Sequence, residues 1–103
     1  MNIKELEFGN VVKFRNGTLC LIHPVRGSNH RNLFWYLNLM PRDTVFLRDI
    51  ETGGFICDFT HYDNDLNIDN EFCRMKYEIL EVYKDYTLQE LLWKRGEDEE
   101  EDE

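Results

Sequence analysis

The sequence reads as a mainly β domain (α+β). It predicts a small, strongly bent antiparallel sheet or barrel of about five strands, with one short C-terminal helix and a disordered acidic tail. Three observations predict this. Short runs rich in Val, Ile, Phe and Tyr recur at close spacing. Glycine-containing turns punctuate them at Asn16-Gly17 and Gly53-Gly54. Only one segment carries both start and stop signals of a helix. A chain of 103 residues has room for one domain, placed here over residues 1–96, and 42% hydrophobic with 14% aromatic side chains is enough to build a core.

Taken in order, Val11 to Phe14 and Leu19 to His23 flank Arg15-Asn16-Gly17-Thr18, a hairpin whose Asn-Gly pair supplies positive φ. After a loop from Pro24 to Asn32, the run Leu33 to Met40 is aromatic and apolar on both faces, which predicts a buried strand. Val45 to Asp49 and Phe55 to Phe59 form a second hairpin about Glu51 to Gly54, with Phe55, Cys57 and Phe59 expected on one face. Tyr62 to Met75 is polar and reads as a loop, and Lys76 to Lys84 returns as a strand. The helix is expected over Leu88 to Arg95. Thr87 and Glu90 have capping-box spacing, Tyr86 and Leu91 staple spacing, and Leu88, Leu91 and Leu92 form an apolar stripe.

Charge is distributed unevenly. The last seven residues, Glu97 to Glu103, are all acidic and supply most of a formal charge of −9. Such a block repels itself and is expected to stay disordered and solvated, as an interaction arm or a solubilising one. Within the body, residues 1–42 hold two acids against six bases, while residues 43–96 hold twelve acids against six bases. That polarity suits a protein with one face for nucleic acid and another for a basic surface. No run approaches a membrane span, and Met1-Asn2-Ile3-Lys4-Glu5 lacks the apolar core of a signal peptide, so a cytoplasmic protein with reduced thiols at Cys20, Cys57 and Cys73 is expected.

Chemistry-bearing patterns are sparse. Asp63-Asn64-Asp65-Leu66-Asn67 opens like a calcium loop, but Ile68 stands where glycine is needed and Arg74 where glutamate is needed, so an Asx-rich turn is the expectation. Cys20-x-x-His23 and Cys57-x-x-x-His61 have the residue types of a zinc site, yet positions three apart on a strand point to opposite faces. Ser28 is the only serine and lacks a nucleophile-elbow context, and no phosphate-cradling glycine loop occurs. No catalytic constellation, metal site or cofactor is therefore expected. The loop Arg26 to Asn32 either contacts phosphates, with Phe34 or Tyr36 stacking bases, or is simply solvated.

Two stretches stand out, Phe8-Gly9-Asn10-Val11-Val12-Lys13-Phe14-Arg15-Asn16-Gly17 and one near the other end. There Tyr77-Glu78-Ile79 leads through Tyr83 to Tyr86-Thr87 and Leu91-Leu92-Trp93-Lys94-Arg95. At these two ends the chain resembles small phage and prophage proteins of low-G+C Gram-positive bacteria, a group similar to small type II anti-CRISPR proteins that inhibit the nuclease Cas9. The matching motifs are a turn, a strand and a helix end, so the resemblance implies a role and assigns no functional residue. It implies an inhibitor binding a basic nucleic-acid-binding protein such as a type II CRISPR nuclease, whose guide and target channels are positively charged. The tail and the cluster Asp58, Asp63, Asp65, Asp69 and Glu71 are the candidate contacts. The competing expectation is a nucleic-acid-binding regulatory barrel using Arg15, Arg26, Arg31 and Arg42.

Overall fold

A computed structural model describes residues 1–25 and 31–96. The acidic tail and Arg26 lie outside the described residues. Six strands make one antiparallel sheet: β1 (Val11–Phe14), β2 (Leu19–Pro24), β3 (Val45–Asp49), β4 (Phe55–Asp58), β5 (Ile79–Tyr83) and β6 (Leu91–Lys94), in the order β4-β3-β2-β1-β5-β6. The sheet does not close, so the architecture is an open sheet rather than a barrel. Two short helices, α1 (Leu33–Leu37) and α2 (Glu71–Tyr77), accompany it. No helix among the described residues is long and apolar enough to cross a membrane.

Both expected hairpins form. Gly17 sits at φ +92° and Gly53 at φ +77°, values that a Cβ would penalise. The Asn16 side chain accepts from Thr18 N at 2.9 Å, and Asp49 accepts from Glu51 N at 2.7 Å, so each turn is locked by its own polar residue.

Strand alternation decides which side is buried. Val12 and Phe14, Cys20 and Ile22, Val45 and Leu47, and Ile79 and Val82 point to one face and are buried in a single cluster. That inner face is covered by Ile3, Leu6, Leu33, Tyr36, Phe59, Tyr62, Leu66 and Ile68, none of which lies in a strand. The one buried polar residue among those described is Asn10. Its side chain accepts from Glu7 N at 2.7 Å and donates to Lys84 O at 2.9 Å, tying the N-terminal turn to the end of β5.

Four expectations are corrected. The run Leu33 to Met40 is not a strand but begins with α1. Asn32 caps the helix by accepting from Trp35 N at 3.1 Å, and the i, i+3 pair Leu33 and Tyr36 is buried while Trp35 is 61% exposed. The cap outweighs the strand preference of the aromatic run. The expected loop 62–75 ends in α2, capped by Asn70 accepting from Cys73 N at 3.1 Å, and the following strand starts at Ile79 rather than Lys76. Phe55 and Cys57 do not share a face. A bulge at Leu47/Arg48 pairs Phe55 with Arg48 and Cys57 with Leu47, and Phe59 has left the strand for a 3-10 turn.

The largest correction concerns the C-terminus, where the expected helix over Leu88 to Arg95 is instead the edge strand β6. Thr87 does not cap; its N and Oγ1 both donate to Asp85 Oδ1, at 3.0 and 2.5 Å. Leu88 takes φ +61°, which no helix accommodates. Lys84 N then donates to Glu90 O and Arg95 N to Leu80 O, so β5's outer edge is paired by the segment that carried the helix signals.

These placements reverse the expected weight of the C-terminal leucines. Leu66, fully buried at φ +65°, should lose about 2 to 5 kcal/mol on change to Ala. Leu91, 48% exposed on the edge strand, should lose less than about 1.5 kcal/mol. Thermal melts check this, since about 1 kcal/mol moves the midpoint of a domain of this size by some 4 to 8 °C; equal midpoints for the two variants would contradict the packing described.

Candidate functional site

The acidic residues singled out in the sequence gather in one segment. Asp58 ends β4 opposite Phe46 and caps the next 3-10 turn, accepting from Thr60 N at 3.0 Å and Thr60 Oγ1 at 2.5 Å. Asp63 accepts from Asp65 N at 2.8 Å and Asn67 N at 2.9 Å, which makes the Asx-type turn and delivers Leu66 into the core. Asp65 accepts from the Asn2 side chain at 3.1 Å. Glu71 stands in the first turn of α2, 84% exposed and 3.9 Å from Arg74. Asp63, Asp65, Asp69 and Glu71 are all exposed, while Leu66 and Ile68 between them are buried. The segment thus presents a row of carboxylates over an apolar underside. Among the described residues, no group of three or more His, Cys, Asp and Glu side chains is placed to hold a metal ion.

The candidate arginines are not brought together. Arg15 follows the end of β1 that pairs with Ile79, whereas Arg42 precedes the end of β3 that pairs with Pro24, at the opposite end of the sheet. Arg15 grips Glu78 Oε1 with Nε at 3.0 Å and Nη2 at 2.6 Å. Arg95 approaches the other oxygen of Glu78 at 3.5 Å, so one carboxylate, 13% exposed, serves two guanidinium groups. Arg42 donates to Tyr62 O at 2.9 Å and to Asn64 Oδ1 at 2.5 Å, holding the acidic segment in place. Arg31 lies 4.0 Å from Glu7 in an exposed pair. Two of the three described candidates are thus committed to internal structure rather than to a common basic patch.

Sequence reasoning missed a different group of residues. Lys13, Arg48, Phe46 and Phe55 project from the outer face of the sheet, opposite the core, with Lys94 on the edge strand beside them. Their signal was the alternation in Val12-Lys13-Phe14 and Val45-Phe46-Leu47-Arg48, but the bulge in the β3–β4 pairing had to be known to add Phe55. On the same face a groove of ≈ 370 Å³ runs among Leu21, Arg48, Asp49, Ile50, Gly53 and Tyr86.

Two cysteines are poor nucleophiles here. Burial, with the neighbouring Cys57 and Asp49 adding to it, pushes the Cys20 thiol up to about 12. Burial likewise pushes Cys57 up to about 11, against a lowering contribution from the Tyr62 hydroxyl. Burial also raises Tyr62, whose hydroxyl donates to Tyr77 O at 2.6 Å.

No family model, curated protein or solved structure matches the chain.

The raised thiols set a pH dependence. Both are neutral in the folded state well above their ordinary value of 9.0, so their contribution to stability is complete below pH 9. It is then lost as unfolded thiols ionise between pH 9 and the folded values of about 11 and 12. Urea midpoints measured from pH 7 to 11 should be level to pH 9 and fall beyond it. Replacing Cys20 and Cys57 by Ala should remove part of that fall.

Proposed function

We propose that this protein is a phage-type inhibitor that acts by binding a basic nucleic-acid-handling protein, with a type II CRISPR nuclease as the partner. Its acidic segment, residues 58–71, would occupy the positively charged channel that otherwise receives guide RNA or target DNA. The observation that carries the reading is the division of charge: Arg15 and Arg42 are spent on Glu78 and on the segment's own backbone, while Asp65, Asp69 and Glu71 face solvent. Attraction between that segment and a basic channel speeds association and orients the encounter. The resemblance at the two ends of the chain supplies the identity of the partner, and the division of charge supplies the contact.

Asp63 is excluded from the test because its carboxylate builds the turn. Charge reversal at Asp65, Asp69 and Glu71 together should leave the fold intact and weaken inhibition of DNA cleavage at least tenfold. Reversal at Arg26 and Arg31 should not weaken it. Inhibition should also fall as ionic strength rises to about 0.15 M, where charges are screened beyond roughly 8 Å. Cleavage by purified type II nucleases, with the protein added before and after the guide RNA, is the assay. Undiminished cleavage across enzymes from Gram-positive hosts ends this reading.

A further inference from the structure

We propose that the outer face of the sheet is a docking surface for single-stranded nucleic acid. The proposal stands apart from the inhibitor reading, since it concerns the opposite layer of the molecule and different side chains.

Cross-strand register places the residues. Arg48 on β3 pairs with Phe55 on β4, and Phe46, two residues earlier on β3, pairs with His23 on β2. Lys13 on β1 and Lys94 on β6 flank Glu81 on β5 in one row across the sheet. Neighbouring strands lie about 4.8 Å apart, so this row places the two lysines about 10 Å from each other. Among the described residues, Lys13, Arg48 and Lys94 form no ion pair with a carboxylate. Arg48 instead donates to His23 Nε2 and to Gly53 O, both at 2.9 Å. His23 Nδ1 lies 2.9 Å from Pro24 O, a pure acceptor, so the ring carries its proton on Nδ1 and Nε2 accepts from Arg48. The guanidinium is thereby held in place by partners that leave its charge unneutralised. Two acids share the face: Glu81 accepts from the Tyr83 hydroxyl and stands between two lysines, and Asp58, paired with Phe46, accepts from Thr60 N and Oγ1.

The aromatic component is exposed. Phe55 is 51% exposed, and its ring meets Phe46 at 4.6 Å between centroids, with His23 edge-on to Phe46 at 6.0 Å. Phe46 thus braces Phe55 from one side while leaving half of it in water. In a chain of formal charge −9, Lys13, Arg48 and Lys94 here outnumber Glu81 and Asp58 beside an exposed ring. That combination binds a strand by neutralising phosphates and stacking an unpaired base. A duplex offers no unpaired base to the ring. An acidic peptide would use the cations and leave Phe55 idle.

Fluorescence anisotropy of a labelled oligothymidylate of about 12 nucleotides, within the site sizes of small β modules, tests this with the full chain at low salt. Binding is expected, at least tenfold tighter than to a duplex of equal length. Lys13→Gln and Lys94→Gln should each lower the slope of log affinity against log salt by about 0.7. Phe55→Leu should weaken binding about 5- to 100-fold and leave that slope unchanged. All three side chains are at least partly exposed, and circular dichroism verifies that each variant stays folded. Absence of binding overturns the proposal. So does equal affinity for duplex, or displacement by polyglutamate with no effect of Phe55→Leu, either of which makes the face a site for any polyanion.

Discussion

The inner face of the sheet must be kept dry, and the segment that does so has little regular structure of its own. Phe59, Tyr62, Leu66 and Ile68 lie against Phe14, Ile22, Leu47 and Ile79 from a stretch that is mostly turns before α2 begins. A buried irregular segment leaves carbonyl groups that no helix or strand satisfies, and each needs a donor. Arg42 donates to Tyr62 O, Arg95 donates to Leu66 O at 3.1 Å and to Ile79 O at 2.9 Å, and the Tyr62 hydroxyl donates to Tyr77 O. The cover is therefore clamped from both ends of the sheet. The strand conformation of β6 is part of the same arrangement, because it runs Arg95 out to the point where Leu66 and Ile79 present their carbonyls.

Surface charge follows from these clamps. Arginines that secure carbonyls and Glu78 are engaged internally, whereas Lys13, Arg48 and Lys94 on the outer face, like Lys4 and Lys76 on the covering side, form no ion pair with a described carboxylate. Within the cover, apolar residues at 62, 66 and 68 turn inward while Asp63, Asp65 and Asp69 turn outward. One layer carries the carboxylate row Asp63, Asp65 and Asp69, and the opposite layer carries Lys13, Arg48, Lys94 and the exposed ring of Phe55. Two dissimilar surfaces are thus available at once, the acidic one being the contact proposed for a basic protein and the other the one proposed for a single strand.

How much of this was readable from the residues varies by element. The strands of both hairpins were legible because turn chemistry and alternation agree there, at Asn16-Gly17 and at Gly53. The Asx turn at Asp63 was legible for the same reason, since a short side chain bonding its own backbone is a local event. The acidic row was readable as a cluster. That Asp58 caps the following 3-10 turn was not, because it looks like its neighbours until its hydrogen bonds are seen. The arginines misled most: Arg15 and Arg42 were grouped by residue type, yet they lie at opposite ends of the sheet.

What the sequence by itself determined is whatever a few consecutive residues decide alone: β-rich class, the two hairpins, the Asx turn, and a marked imbalance of charge along the chain. Tertiary structure decided the rest where local signals conflicted. Leu33 to Leu37 became a helix because Asn32 caps it and one side of it is buried. Leu91 to Lys94 became a strand because Asp85 takes Thr87 from its capping role and β5 has an unpaired edge to fill. In both places the deciding partner is a hydrogen-bonding group or a buried surface that periodicity and composition do not record, and only the folded chain brings it within reach.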